Sequence, residues 1–346
     1  MIQPVKANEI FSLKAEMVLV DVRSPAEFLQ GHIPGAVNIP LFSDSERAEV
    51  GTRYKQAGKD AALLVGLDFV GIRMSDFVKK LHVLCRGNSR QVAVYCWRGG
   101  MRSASMAWLF STAGYSVCLL EGGYKAYRAY IREEAGKGVP MIVLGGMTGS
   151  GKTEILRELK AKGETVIDLE HLASNKGSVF GYLGQPDQPT NEQFENNLAD
   201  AWLSPDNSGP VWIEDESRSI GAVSLPGPFF ERMKHQPLVL LHVPVEKRVE
   251  RLIAEYTGFE KSALTGALMK IAQPIGGQGV QEAAKSIGEG NFDPAIRLVL
   301  GYYDKMYIRA LAKFNHRDII SIESTTGDAA ANAALILKHI TGNTVT

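Results

Sequence analysis

Pro140-Met141-Ile142-Val143-Leu144-Gly145-Gly146-Met147-Thr148-Gly149-Ser150-Gly151-Lys152-Thr153 is an apolar run that breaks into glycine and ends on a lysine and a hydroxyl. Its apolar part, Pro140 to Leu144, reads as a buried strand, and a helix is expected from Lys152 through Lys160. Glycines let the main chain approach phosphates, while amides and the helix dipole hold their charge. Lys152 neutralises that charge, and Thr153 can ligate magnesium. Gly146, Met147, Thr148, Gly149, Ser150, Gly151, Lys152 and Thr153 are therefore the expected phosphate contacts. A kinase, an NTPase and a transferase with a diphosphate leaving group would all need such a loop.

Upstream, Gln91 to Tyr95 is a second valine-rich strand pattern, and it runs into Cys96-Trp97-Arg98-Gly99-Gly100-Met101-Arg102-Ser103, with a helix expected from Ser103 to Ala113. A cysteine at the mouth of a glycine turn entering a helix faces inward-pointing amides, and Arg98 and Arg102 add positive charge. Both favour the thiolate, the nucleophilic form. Cys96, Arg98 and Arg102 are the catalytic candidates, with Trp97, Gly99, Gly100, Met101 and Ser103 as the cradle. The Cys-x5-Arg spacing also suits a tetrahedral phosphate, so a cysteine phosphatase is a rival. A loop of this size would admit a phosphate-bearing chalcogen donor, with attack on sulfur or selenium leaving a persulfide or perselenide in the cradle. Cys85 and Cys118 have no such neighbours and read as packing residues.

At 346 residues, with 45% apolar and 22% charged residues and zero net charge, the chain has the make-up of a globular protein of two domains. No apolar run approaches a membrane span, and the amino terminus has no secretion-signal pattern, so a cytoplasmic protein without a membrane partner is expected. Three cysteines are too few for a disulfide framework, and no structural metal site is expected. The glycine-bearing stretch Glu133 to Pro140 divides a domain 1–137, carrying the cysteine, from a domain 138–346 with carboxyl-terminal helices. Further strands are expected at 17–22, 116–120, 165–168, 211–214 and 237–243. Their alternation with helices implies α/β domains with parallel sheets. Asp168, Glu214, Asp215 and Glu216 end strands and, with Arg218, are candidate acid–base or magnesium residues.

Asp21-Val22-Arg23-Ser24-Pro25-Ala26-Glu27-Phe28 and Gly31-His32-Ile33-Pro34-Gly35-Ala36-Val37-Asn38-Ile39-Pro40, followed by the cysteine loop, resemble the rhodanese family. Asp21 and Arg23 read as a structural ion pair or a turn anchor beside the site, and His32 as part of the scaffold. Together with the glycine loop, Gly177 to Gly181, Gln185-Pro186, Gln193 to Glu195 and Glu214 to Arg218, the chain resembles the tRNA 2-selenouridine synthase family. The resemblance implies a rhodanese-like α/β domain followed by a P-loop NTPase-like α/β domain. It further implies that selenophosphate and geranyl diphosphate are substrates, with magnesium at the glycine loop. It makes tRNA with 2-thiouridine at the wobble position the partner, and an enzyme supplying selenophosphate a second one. The alternative is a rhodanese-type sulfurtransferase, or the phosphatase, fused to a nucleotide-binding regulatory domain.

An RNA substrate needs local basic patches. In a helix expected from Ile296 to Arg317, the cations Arg297, Lys305, Arg309 and Lys313 recur at multiples of four, beside a stripe of Leu300, Tyr303, Tyr307, Leu311 and Phe314. Lys125, Arg128 and Arg132 form a weaker patch. The segments 182–189 and 272–279 read as irregular loops, and Phe180, Phe194 and Trp202 are candidates for an apolar groove.

Overall fold

The computed structural model describes residues 2–85, 90–204, 209–313 and 317–343. The chain divides into two compact units, one of Met1–Ala135 with Glu195–Asp206 and one of Gly136–Phe194 with Asn207–Thr346.

The first unit is built on a five-stranded parallel sheet: β1 (Ile2–Val5), β2 (Val18–Asp21), β3 (Val37–Asn38), β4 (Gln91–Tyr95) and β5 (Ser116–Leu120), in the order β1-β5-β4-β2-β3. Connections leave β2 toward one edge and β4 toward the other, so the crevice of the sheet opens at the carboxyl ends of these neighbours, where Asp21 is in register with Tyr95. The helices are α1 (Ile10–Leu13), α2 (Pro25–Gln30), α3 (Asp44–Gly71), α4 (Met74–Leu84), α5 (Met101–Thr112) and α6 (Gly123–Glu134). Val20, Val92 and Val94 of the sheet pack with Phe77, Leu81, Met106 and Phe110 of α4 and α5.

Asp21 and Arg23 form the buried ion pair expected of them. The Arg23 side chain donates to both Asp21 carboxylate oxygens, at 2.6 to 3.0 Å, and to the carbonyl of Gly31 at 2.6 Å. Its guanidinium lies 3.9 Å from the Tyr124 ring centroid.

The second unit repeats the parallel plan with β6 (Met141–Gly145), β7 (Thr165–Ile167), β8 (Val211–Glu214), β11 (Leu238–His242) and β12 (Ile319–Glu323), in the order β12-β11-β6-β8-β7. A short antiparallel pair, β9 (Ser219–Ile220) and β10 (Val223–Ser224), stands apart. Around the sheet lie α7 (Lys152–Ala161), α8 (Leu169–Ala173), α10 (Gly227–Lys234) and α16 (Ala329–Asn343), while α11 (Val245–Tyr256), α12 (Lys261–Met269), α13 (Ala272–Ile275), α14 (Gly277–Gly288) and α15 (Asp293–Ala312) share a second core. α9 (Asn191–Trp202) begins in the second unit, and its residues from Glu195 on belong to the first.

Two local expectations need correction. The 272–279 segment is helical, because Val280, Ala283 and Ile287 give α14 a buried apolar stripe that its glycines obscure in the sequence. Gly276, at φ +106°, joins α13 to α14. The basic helix starts earlier than expected, at Asp293 with Pro294 in its first turn, and ends at Ala312; Phe314 lies outside the described residues.

Removing one partner of a buried ion pair leaves the other charge stranded. Asp21→Ala should therefore destabilise the first unit by about 3–5 kcal/mol, read as a shifted urea midpoint.

Candidate functional site

Cys96 follows β4 and is buried, with Sγ 3.2 Å from Ser103 Oγ. Its carbonyl accepts from Tyr124 N at 2.8 Å, and that of Trp97 accepts from Lys125 N at 2.9 Å. The first turn of α6 thus takes the carbonyls of the loop. The amides of Trp97, Arg98, Gly99 and Gly100 carry no hydrogen bond to other described residues.

Gly99 turns the loop at φ +66°. Gly123, which the sequence did not flag, walls it: a Cβ there would collide with Cys96 O, Gly99 N and Arg98 N. Only glycine fits between the loop and α6.

Arg102 is not loose above the sulfur. It makes a two-point bond to Glu27, at 2.6 and 3.2 Å, and Glu27 also accepts from Ser24 N at the start of α2. Burial raises the Glu27 pKa, but Arg102 outweighs it and the net shift is downward. Arg98, Gly100 and Met101 are exposed, and so is Trp97, whose ring lies 5.8 Å from that of Tyr124.

The phosphate loop follows β6 as the spacing predicts, with Gly149 and Gly151 at φ +79° and +83°. Lys152 Nζ donates to Gly146 O at 3.0 Å, and Thr153 Oγ1 to Glu170 Oε2 at 2.8 Å. Gly146 N donates to the Tyr307 hydroxyl at 3.2 Å, which in turn donates to Asp215 at 2.9 Å. The Ser150 hydroxyl is buried and has no hydrogen-bond partner among the described residues. The loop lines a cleft of about 580 Å³ whose wall includes Arg157, Lys176, Arg218, Arg251 and Lys313.

The strand-end acids separate into distinct roles. Asp168 caps α8 through His171 N at 2.7 Å. Asp215 is held by Lys234 at 2.7 Å and Arg317 at 3.3 Å. Burial raises its pKa, yet these cations bring it below the ordinary value.

Glu214 accepts from Glu170 N at 2.7 Å, and its other oxygen is buried with no hydrogen-bond partner among the described residues. Burial, then the charges of Asp168 and Glu170, push its pKa far up. Burial also raises Glu216 against the pull of Lys152.

Glu170 was missed in the sequence because it lies two residues past the strand-end acid, inside a short helix. Burial, reinforced by Glu216, raises its pKa to about 8. Glu170 and Glu216 both feel the charge of Lys152 and line the cleft together with Glu154, Asp215 and Glu255.

A second, apolar chamber shares Thr148, Ser178, Leu252, Tyr256 and Tyr303 with this cleft and continues to Phe180, Leu264 and Val299. It is nearly closed, at about 30 Å³. Phe180 belongs to this wall, whereas Phe194 and Trp202 are core residues of α9.

The basic face of α15 also divides. Lys313 reaches the cleft and Lys305 and Arg309 are exposed, but Arg297 is tied to Glu246 at 2.6 and 2.9 Å and to Asp293 at 2.8 Å. In the weaker patch, Arg128 is buried and bound to Asn196 at 2.6 Å and to Glu195, which Arg132 also meets at 3.3 Å.

Comparison with known proteins finds that each loop lies within a matched domain. Residues 7–130 match a family model described as a rhodanese-like domain, and residues 139–332 match one described as tRNA 2-selenouridine synthase AAA domain. A tRNA 2-selenouridine synthase of Bdellovibrio bacteriovorus is 42% identical over 74% of this chain and 68% of its own length. That of Shewanella frigidimarina is 34% identical over 93% and 94%, and that of Bordetella petrii 36% over 84% and 86%. Among solved structures, a rhodanese-related protein from Thermoplasma volcanium is 20% identical, covering 37% of this chain and 92% of its own, with a TM-score of 0.24. With matched domains over most of its length and relatives aligned nearly end to end, the chain belongs to the tRNA 2-selenouridine synthase family.

Proposed function

We propose that this chain is a tRNA 2-selenouridine synthase that exchanges the sulfur of wobble 2-thiouridine for selenium from selenophosphate, by way of an S-geranylated base made from geranyl diphosphate. The observation that carries this reading is the apolar chamber opening off the phosphate loop. A nucleoside triphosphate would bring a polar base to a wall of leucine, isoleucine and phenylalanine, where its hydrogen bonds go unmet. A diphosphate with a hydrocarbon tail would satisfy loop and apolar wall together, and its chain would require Phe180 and Tyr256 to move, since the chamber holds only about 30 Å³ as it stands.

In the second unit the thiocarbonyl sulfur forms a bond to the geranyl carbon as the carbon–oxygen bond to diphosphate breaks. Lys152 and the loop amides take up the departing charge. Thr153 and Glu170 would hold magnesium, which would supply further neutralisation of that charge. The crowding of Glu170 with Glu216, and the lack of any cluster of three or more metal-binding side chains among the described residues, fit an ion whose remaining ligands are phosphate and water.

Alkylation turns the sulfur into a good leaving group. Selenium handled at the Cys96 loop then takes its place at the same carbon. Lys305, Arg309 and Lys313 are proposed to meet the tRNA backbone, and Trp97 to stack on an exposed base. An enzyme that supplies selenophosphate and a cytoplasmic setting belong to the same proposal.

Mass analysis of thiolated tRNA, incubated with geranyl diphosphate and then selenophosphate, tests the division of labour. Cys96→Ser should still geranylate the base and form no 2-selenouridine. Lys152→Ala should slow geranylation by about a hundredfold or more while accepting pre-geranylated RNA. Loss of geranylation in Cys96→Ser would refute the division.

The acids beside the loop predict a pH dependence. The unfolded Glu170 carboxyl loses its proton near the ordinary 4.5, whereas the folded one keeps it to about 8. Folding therefore binds a proton in this window, and the stability of the second unit should fall as pH rises from 4.5 to 8. Thermal melts should show that decline, with a shallower slope in Glu170→Gln.

A further inference from the structure

We propose that Cys96 attacks the phosphorus of bound selenophosphate, and not its selenium, so that a phosphoryl group is carried transiently on the cysteine. The inference rests on selenophosphate being the donor.

Electron counting gives the first reason. If the thiolate attacked selenium, the sulfur–selenium bond would form as the selenium–phosphorus bond broke with its pair left on phosphorus. The product would be phosphite, and an oxidant would be needed to reach phosphate. Attack on phosphorus needs none. A sulfur–phosphorus bond forms, the phosphorus–selenium bond breaks, and selenium departs with the pair as selenide, the nucleophile that the alkylated base requires. Water then cleaves the sulfur–phosphorus bond, giving orthophosphate and the free thiolate.

The loop is built for that geometry. The five residues between Cys96 and Arg102 contain four successive amides, Trp97 to Gly100, with no bond to other described residues. Four unpaired amides in succession suit the three oxygens of a tetrahedral anion, whereas a lone selenium atom would use far fewer. The absence of a side chain at Gly123 keeps the loop open. Glu27 fixes Arg102 at the end of the loop by a two-point bond. Ser103 Oγ, buried 3.2 Å from Sγ, can turn its hydrogen to the sulfur when the thiolate leaves phosphorus. The expectation of a perselenide in this cradle is thereby replaced.

The full-length protein is mixed with selenophosphate labelled with oxygen-18, without RNA, and quenched in denaturant for peptide mass analysis. The expected result is an adduct on Cys96 whose mass shifts with the oxygen label, release of selenide, and neither product from Cys96→Ser. Ser103→Ala should accumulate the adduct several-fold by slowing its breakdown, and orthovanadate should block its formation. An adduct that contains selenium and ignores the oxygen label overturns the proposal, as does selenide release by Cys96→Ser at the wild-type rate. Because RNA is absent, these outcomes are independent of the tRNA assay, and failure of one reading is distinguishable from failure of the other.

Discussion

An anion held by main-chain amides requires that those amides be left unpaired while the carbonyls between them are satisfied. The Cys96 loop meets that constraint at the amides of Trp97 to Gly100, and the phosphate loop meets it in part, since Gly146 N is bonded to Tyr307 and Ser150 N to the carbonyl of Met147. At Cys96 the carbonyls are taken by the first turn of α6, which passes so close that residue 123 can carry no side chain. At the phosphate loop Lys152 rests on the carbonyl of Gly146, and Arg248 donates to that of Thr148 at 3.1 Å. Each loop sits at the carboxyl end of a central parallel strand, where amino ends of helices converge.

The two loops are opposed in chemistry although alike in plan. Near Cys96, Glu27 binds Arg102 and the ligand side is amide and glycine. Around Lys152 the wall crowds acids together, and burial leaves Glu170 and Glu216 reluctant to ionise. The first arrangement suits a compact anion on a nucleophile. The second suits a larger anion arriving with a cation. Asp215 differs from its neighbours because Lys234, Arg317 and Tyr307 surround it.

Local signals were enough to read the inner strands, both loops and the parallel plan, whereas the edge strands β1, β3 and β12 and the short pair β9 and β10 were not read. The Asp21–Arg23 pair was also legible at its two-residue spacing. What escaped depends on distant packing. Gly123 matters only because α6 crosses the cysteine loop, Glu170 only because α8 turns it toward Thr153, and Arg297 is occupied by Glu246 from another helix. The glycines near 276 suggested a loop, although tertiary burial of α14 overrode their weak helix propensity.

Tyr307 has a mechanical consequence. Its hydroxyl receives the amide of Gly146 and donates to Asp215, while its backbone belongs to the twenty-residue helix α15. That helix also presents Lys305 and Arg309 outward. A displacement of this helix would therefore be felt, through one phenol, at the root of the phosphate loop, as at the short arm of a lever.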